Sequence, residues 1–164
     1  MLFRSPEDLL LAEIDELIAI TEQLRELPFL VEPTITILTA EELSIRVMED
    51  IEEELDPEEI VRDTEALRIL GVVPDGLDLA EFYVSLLGEQ VQGFYDSETK
   101  EMVIQATAGG LSKYEKMVIV HELVHALTDQ HFDFGPISDA LSDAEEFDAG
   151  TALRALIEGD ATFT

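Results

Sequence analysis

The sequence predicts an α+β fold in which a small sheet leans on helices. Three observations carry that expectation. Helical apolar spacing dominates the chain, interrupted by one alternating β-branched run at Thr34-Ile35-Thr36-Ile37-Leu38. A hairpin pattern occupies the stretch from Val91 to Gln105. Between that hairpin and the end of the chain lies His121-Glu122-Leu123-Val124-His125, set in a long uncharged helical stretch.

Taken in order, Ser5-Pro6-Glu7-Asp8 reads as a helix start, with a Ser cap, Pro in the first turn and acids facing the positive end. Apolar residues recur at Leu10, Ile14, Leu17, Ile18, Leu24 and Leu27, and the stripe stops at Pro28. The strand at Thr34–Leu38 follows. Thr39 and Glu42 then form a capping box that opens a helix to about Leu55. Asp56-Pro57-Glu58-Glu59 caps the next helix, which runs to Leu70 and ends at Gly71. Val72-Val73-Pro74-Asp75-Gly76 is a connector, and Asp78 caps a helix through about Leu87. Val91–Tyr95 and Glu101–Gln105 flank Asp96-Ser97-Glu98-Thr99-Lys100 as a hairpin. Ser112 with Glu115 caps the motif helix, expected over about residues 113–131. Ser142 with Glu145 is expected to start a closing helix that reaches about Glu158. No internal repeat or low-complexity tract interrupts this order.

A chain of 164 residues with 46% hydrophobic content makes one domain with a real core. Its residues 1–88 form a mostly helical part with one strand, and residues 89–164 carry the hairpin, the motif helix and the closing helix. Nine Lys plus Arg against 38 Asp plus Glu give a net charge of −29. Such a surface repels a phosphate backbone and an anionic membrane, so nucleic acid is excluded as a partner and membrane binding is disfavoured. Steering of cationic substrates and plain solubility both fit the acidity; its spread along the whole chain favours the second. There are no cysteines, so any metal must be held by His, Asp or Glu. No uncharged run approaches the roughly 18 residues of a membrane span. Leu9-Leu10-Leu11-Ala12 is broken at once by Glu13, so it is no signal-peptide core. The abrupt end at Phe163-Thr164 reads as a cut from a longer chain, which leaves compartment and an exported location open. Oligomeric state is equally open.

On a helix, residues four apart lie one above the other, about 6 Å along the axis. His121 and His125 can therefore reach one ion from a single face. Glu122 is rotated by about 100° from His121, so it can act on a water at the ion rather than ligate it. This is the mechanical sense of H-E-x-x-H, and it points to one catalytic zinc ion. Val118-Ile119-Val120 before the motif and Ala126-Leu127 after it supply an uncharged lining.

Two histidines are too few, because a catalytic zinc takes three protein ligands and keeps one position open. His131, six residues past His125, has the spacing of the metzincin pattern H-E-x-x-H-x-x-G-x-x-H. That pattern needs Gly where this chain has Thr128, and a downstream Met-turn, whereas Met1, Met48, Met102 and Met117 all precede the motif. His131 reads better as a polar residue closing the helix near Asp129 and Asp133. Glu158, 33 residues after His125, is the other candidate. A carboxylate near a helix C-terminus is unfavourable against the dipole unless a cation compensates it.

The stretch Glu158-Gly159-Asp160-Ala161 resembles the third-ligand helix of the aminopeptidase branch of the gluzincins. These are zinc metallopeptidases in which a Glu from a second helix completes H-E-x-x-H. The chain also resembles the compact minigluzincins, and bacterial proteins in which H-E-x-x-H-A-L-x-D-Q-H-F-D precedes a helix with E-G-D-A-T. The resemblance covers chiefly residues 89–162; the first eighty fit only as the strand and backing helix common in zincins. It implies a zincin-like α+β fold, with His121, His125 and Glu158 as zinc ligands. It further implies that Glu122 is the general base of peptide-bond hydrolysis, with a peptide or protein as substrate. Where thermolysin-like members place an Asp to orient the first His, this chain has Thr162; Asp160 is the nearest substitute. An extended substrate would pair with an edge strand, for which Glu101–Gln105 is the expected segment, with Gly109-Gly110 allowing close backbone approach. Tyr95, Tyr83 and Tyr114 are the tyrosines from which a second electrophile could come. The alternative is a zincin-like domain that binds metal or a partner without turnover.

Overall fold

The computed structural model describes residues 6–54, 57–79, 81–82, 91–106 and 109–164. It is α+β, with six helices and one three-stranded mixed sheet among the described residues. In chain order these are α1 (Pro6–Arg25), β1 (Thr34–Leu38), α2 (Ala40–Glu54), α3 (Pro57–Ile69), β2 (Gly93–Asp96), β3 (Glu101–Gln105), α4 (Lys113–Phe132), α5 (Gly135–Asp143) and α6 (Phe147–Phe163). They fall into two compact units, one drawn from Met1–Leu38 with Gln92–Thr164 and the other from Thr39–Val91. No helix among the described residues is long and apolar enough to cross a membrane.

The second unit holds α2 and α3. Thr39 and Glu42 make the expected capping box, with Glu42 Oε2 accepting from the Thr39 N–H at 2.9 Å and the Glu42 N–H reaching Thr39 Oγ1 at 3.2 Å. Leu43 and Val47 of this helix are buried. Gly71 ends α3 in the left-handed region at φ 71°, and the Val72 N–H returns to Leu67 O at 2.9 Å. Asp78 caps the next turn through the Glu81 N–H at 3.1 Å. The expected continuation to Leu87, the Ser5 cap, and the boundary at Leu55 and Asp56 lie outside the described residues.

The first unit carries the sheet, in the order β1-β3-β2. β1 runs parallel to β3, with Thr36 opposite Val103; β2 runs antiparallel to it, with Tyr95 opposite Met102. β3 is therefore the central strand. The expectation that Glu101–Gln105 offers an edge to a substrate is overturned, because both of its sides are already paired. The edges belong to β1 and β2. Gly93 is required where β2 meets β3, since a Cβ there would lie 2.7 Å from the Val103 carbonyl oxygen.

Leu10, Ile14 and Leu17 of α1, Met102 and Ile104 of β3, and Ile119 and Leu123 of α4 form one buried cluster. Phe29, Ile35, Ile37 and Leu111 pack around it. The three α1 residues recur at helical spacing and the β3 pair shares one strand face, so each pattern becomes a core face. Glu13 secures α1 to the approach to α4. It accepts from the Leu111 N–H and from Lys116 Nζ, each at 2.8 Å.

The end of the chain differs from the sequence expectation. Ser142 and Glu145 do not open a helix. Ser142 lies in the last turn of α5, which the expectation lacked altogether, and Pro136 sits in that helix's first turn. Glu145 adopts φ 54° and the Glu146 N–H returns to Leu141 O at 3.0 Å, a left-handed C-terminal stop. The closing helix α6 starts only at Phe147, without a side-chain cap, and continues to Phe163. Glu158 is thus inside α6, more than a turn before its end.

Candidate metal centre

The motif helix forms for local reasons. Ser112 and Glu115 make a complete capping box, and α4 then runs unbroken for 20 residues until Asp133 turns left-handed at φ 46°. Ile119, Leu123, Val124, Ala126 and Leu127 are buried, which fixes the rotation of the helix. His121 and His125 then fall on the side facing α6. Their rings meet edge-on, 4.6 Å between centroids and 88° between planes.

Glu158 of α6 closes the group. His121 Nε2 lies 3.1 Å from Glu158 Oε2, His125 Nε2 lies 3.5 Å from the same oxygen, and the two Nε2 atoms are 3.1 Å apart. The residues that the sequence put forward as ligands are thus brought together, with one ligand atom from each within 4.8 Å of the others. Ligand atoms about 2.0–2.1 Å from a tetrahedral zinc are separated by about 3.3–3.4 Å, so the triangle has the size such an ion requires.

Proton placement points the same way. A ring nitrogen carries either a hydrogen or a lone pair, never both. With an ionised Glu158, two N–H groups can donate to its oxygen only by facing each other at 3.1 Å. If one imidazole instead offers its lone pair, that pair faces either the other lone pair or the carboxylate. With Glu158 ionised, no hydrogen arrangement satisfies all three contacts, whereas a cation at the centre satisfies them together. Burial, the leading influence, lowers the pKa of His125 and favours the neutral imidazole that ligates. Glu158 partly opposes this. The site is graded in exposure, with the His125 side chain 11% exposed and Glu158 55%.

The helix that presents Glu158 is tethered two residues further on. Arg25, at the end of α1, grips both Asp160 oxygens with one nitrogen, at 2.7 and 2.6 Å. Its other terminal nitrogen reaches Thr164 Oγ1 at 3.2 Å. Asp160 is therefore Arg25's partner and no hydrogen bond links it to His121. Nothing in the sequence connects two residues 135 positions apart, and this tether was not foreseen.

Glu122 lies beside the triangle, partly buried, with its Oε2 accepting from the Tyr95 N–H at 2.9 Å. Burial pushes its carboxyl up to about 7; the Tyr95 N–H and His121 oppose that shift, and the charge of Glu158 adds to it. A carboxyl poised there can take and return a proton near neutrality.

The Tyr95 hydroxyl donates to Asp129 Oδ2 at 2.7 Å, and Lys100 Nζ reaches the same oxygen at 2.6 Å. Burial first, and then the Asp129 carboxylate, raise the Tyr95 pKa, so the phenol remains a donor. Its hydroxyl is engaged with Asp129, which removes the simplest version of Tyr95 as second electrophile. Tyr114 is 60% exposed on the first turn of α4, and Tyr83 lies outside the described residues. His131 is in none of these contacts with the triangle; its Nε2 meets the Pro28 carbonyl at 2.8 Å. α4 passes through Thr128 without a break, so the turn a metzincin needs there is absent.

No protein-family model, curated protein or solved structure matches the chain. The site stands on its own geometry.

Proposed function

We propose that this chain is a zinc-dependent peptidase with a zincin-like fold, of the gluzincin type. The observation that carries the reading is the convergence of His121, His125 and Glu158 into one ligand-sized triangle with Glu122 alongside. An all-nitrogen-and-oxygen set of two imidazoles and one carboxylate suits zinc, and three protein ligands leave a position open. A zinc ion held there would supply Lewis acidity, which makes a water acidic near neutral pH and polarises a carbonyl.

The chain's own residues account for the remaining steps. Glu122 accepts the proton of the attacking water and returns it to the leaving amine. The Tyr95 N–H engages Glu122 Oε2, so Oε1 is the oxygen left to receive that proton. The substrate is a peptide or protein in extended form. Of the two edge strands among the described residues, β2 is the one that runs beside Glu122, so β2 takes the substrate-pairing role the resemblance assigns to an edge, through outward groups other than the Tyr95 N–H that Glu122 holds.

The test is zinc content by mass spectrometry together with cleavage of diverse peptide libraries, for wild type, His121→Ala and Glu122→Gln. The reading expects one zinc per chain in wild type and Glu122→Gln, and loss of zinc in His121→Ala. It expects Glu122→Gln to lose about 10²–10⁴-fold in kcat. Full activity in Glu122→Gln would sink the mechanism, and full zinc in His121→Ala would sink the site. A zinc-loaded, folded chain that cleaves nothing would transfer the reading to a metal-binding domain without turnover.

A further inference from the structure

Asp129 is a fully buried carboxylate that zinc ligation does not require. Its side chain has no solvent exposure, and such a charge is costly unless closely paired. Oδ2 receives both the Tyr95 hydroxyl and Lys100 Nζ, while Oδ1 has no hydrogen-bond partner among the described residues. A residue needed only to pack the hairpin against α4 could be apolar at lower cost.

Its position relative to Glu122 supplies a reason. Glu122 and Asp129 are seven residues apart on α4, two turns along one face, or about 10 Å. Tyr95 spans that distance. Its main-chain N–H ends on Glu122 Oε2 and its phenol ends on Asp129 Oδ2. The N–H is available because Gln92 O accepts from the Gln105 N–H, so in the antiparallel alternation Gln92 and Phe94 bond towards β3 while Tyr95 faces outward. An outward N–H on an edge strand has no ladder partner to fix it. Lys100 reaches Asp129 from the same hairpin, at φ 58° in a turn that Asp96 braces through the Glu98 N–H at 2.8 Å.

We propose that Asp129 is a positioning residue which, by holding the Tyr95 hydroxyl, keeps the Tyr95 N–H on Glu122 and so fixes which carboxylate oxygen receives the proton. This rests on the peptidase reading for its catalytic consequence, but not for its geometry.

The experiment is residue-resolved amide hydrogen exchange on the full metal-free chain, for wild type, Asp129→Ala, Tyr95→Phe and Glu122→Ala. All three variants should speed exchange at the Tyr95 amide by about tenfold, as the loss of one ordinary hydrogen bond does, and leave the β3 amides of Val103 and Ile104 unchanged. In zinc-loaded samples, Asp129→Ala and Tyr95→Phe should lower kcat by about tenfold at unchanged KM and zinc content. A merely structural Asp129 would speed exchange throughout the hairpin. An unchanged Tyr95 amide in Tyr95→Phe, or uniform acceleration in Asp129→Ala, overturns the proposal. If Asp129→Ala does not fold, Tyr95→Phe, which leaves the carboxylate paired with Lys100, decides alone. A chain that takes up no zinc, yet shows the exchange coupling, overturns the peptidase reading and leaves the positioning standing.

Discussion

Glu122 bears a cost that the proposed base role explains. Its folded pKa of about 7 is raised from an ordinary carboxylate's 4.5, chiefly by burial. A group whose folded pKa is raised contributes stability below the unfolded value and loses it as pH climbs through the folded value. Metal-free wild type should therefore lose stability between about pH 4.5 and 7 relative to Glu122→Gln, whose amide oxygen can still accept the Tyr95 N–H. By pH 8 the variant should be more stable by about 1–3 kcal/mol, an advantage that vanishes near pH 4. Denaturant titrations at the two pH values read this directly; a pH-independent difference would show that Glu122 is not buried as described. The two histidines and Glu122 were readable in the sequence because a fixed helical spacing encodes them. Glu158 was readable only through its flanking Gly and Ala. Tyr95 and Asp129 were not readable as a pair, because their link is tertiary and their residue types are common.

At the scale of elements, α4 is overdetermined and α6 is not. A capping box, a left-handed stop and five buried apolar residues hold α4. In α6 only Ala161 is buried, while Phe147, Leu156 and Phe163 are 77%, 69% and 93% exposed. The proposed third ligand thus rides on a helix tethered by the Arg25–Asp160 ion pair. Arg25→Ala should weaken zinc binding by about three- to tenfold, since a part-exposed, hydrogen-bonded ion pair contributes about 1 kcal/mol. Competition with a chromogenic chelator measures it, and an unaltered affinity would mean that packing alone places α6. The misread closing helix has the same origin. In a chain with 38 acids, Ser-x-x-Glu recurs by chance, and at Ser142 it marks a helix end instead of a start. Ser112-x-x-Glu115 succeeds because an apolar run follows it. The central position of β3 was hidden for another reason: hairpin patterns identify β2 and β3 as neighbours, but only tertiary pairing adds β1 on the far side.

For the whole molecule, the α+β class and most element positions followed from periodicity, whereas the division into two units did not, since no linker composition marks Leu38 or Gln92. A net charge of −29 sets its solution behaviour. Such a chain repels itself when folded, and salt relieves that repulsion as the screening length falls from about 30 Å at 0.01 M to about 8 Å at 0.15 M. The melting temperature should rise by about 2–6 °C across that range, by calorimetry, and a flat response would mean the charge is already balanced locally. The most direct test of the central claim is a crystal of the zinc-soaked chain measured on both sides of the zinc absorption edge. One anomalous peak is expected, about 2.0–2.2 Å from His121 Nε2, His125 Nε2 and a Glu158 oxygen. A peak ligated by His131, or none at the triangle at saturating zinc, would contradict it.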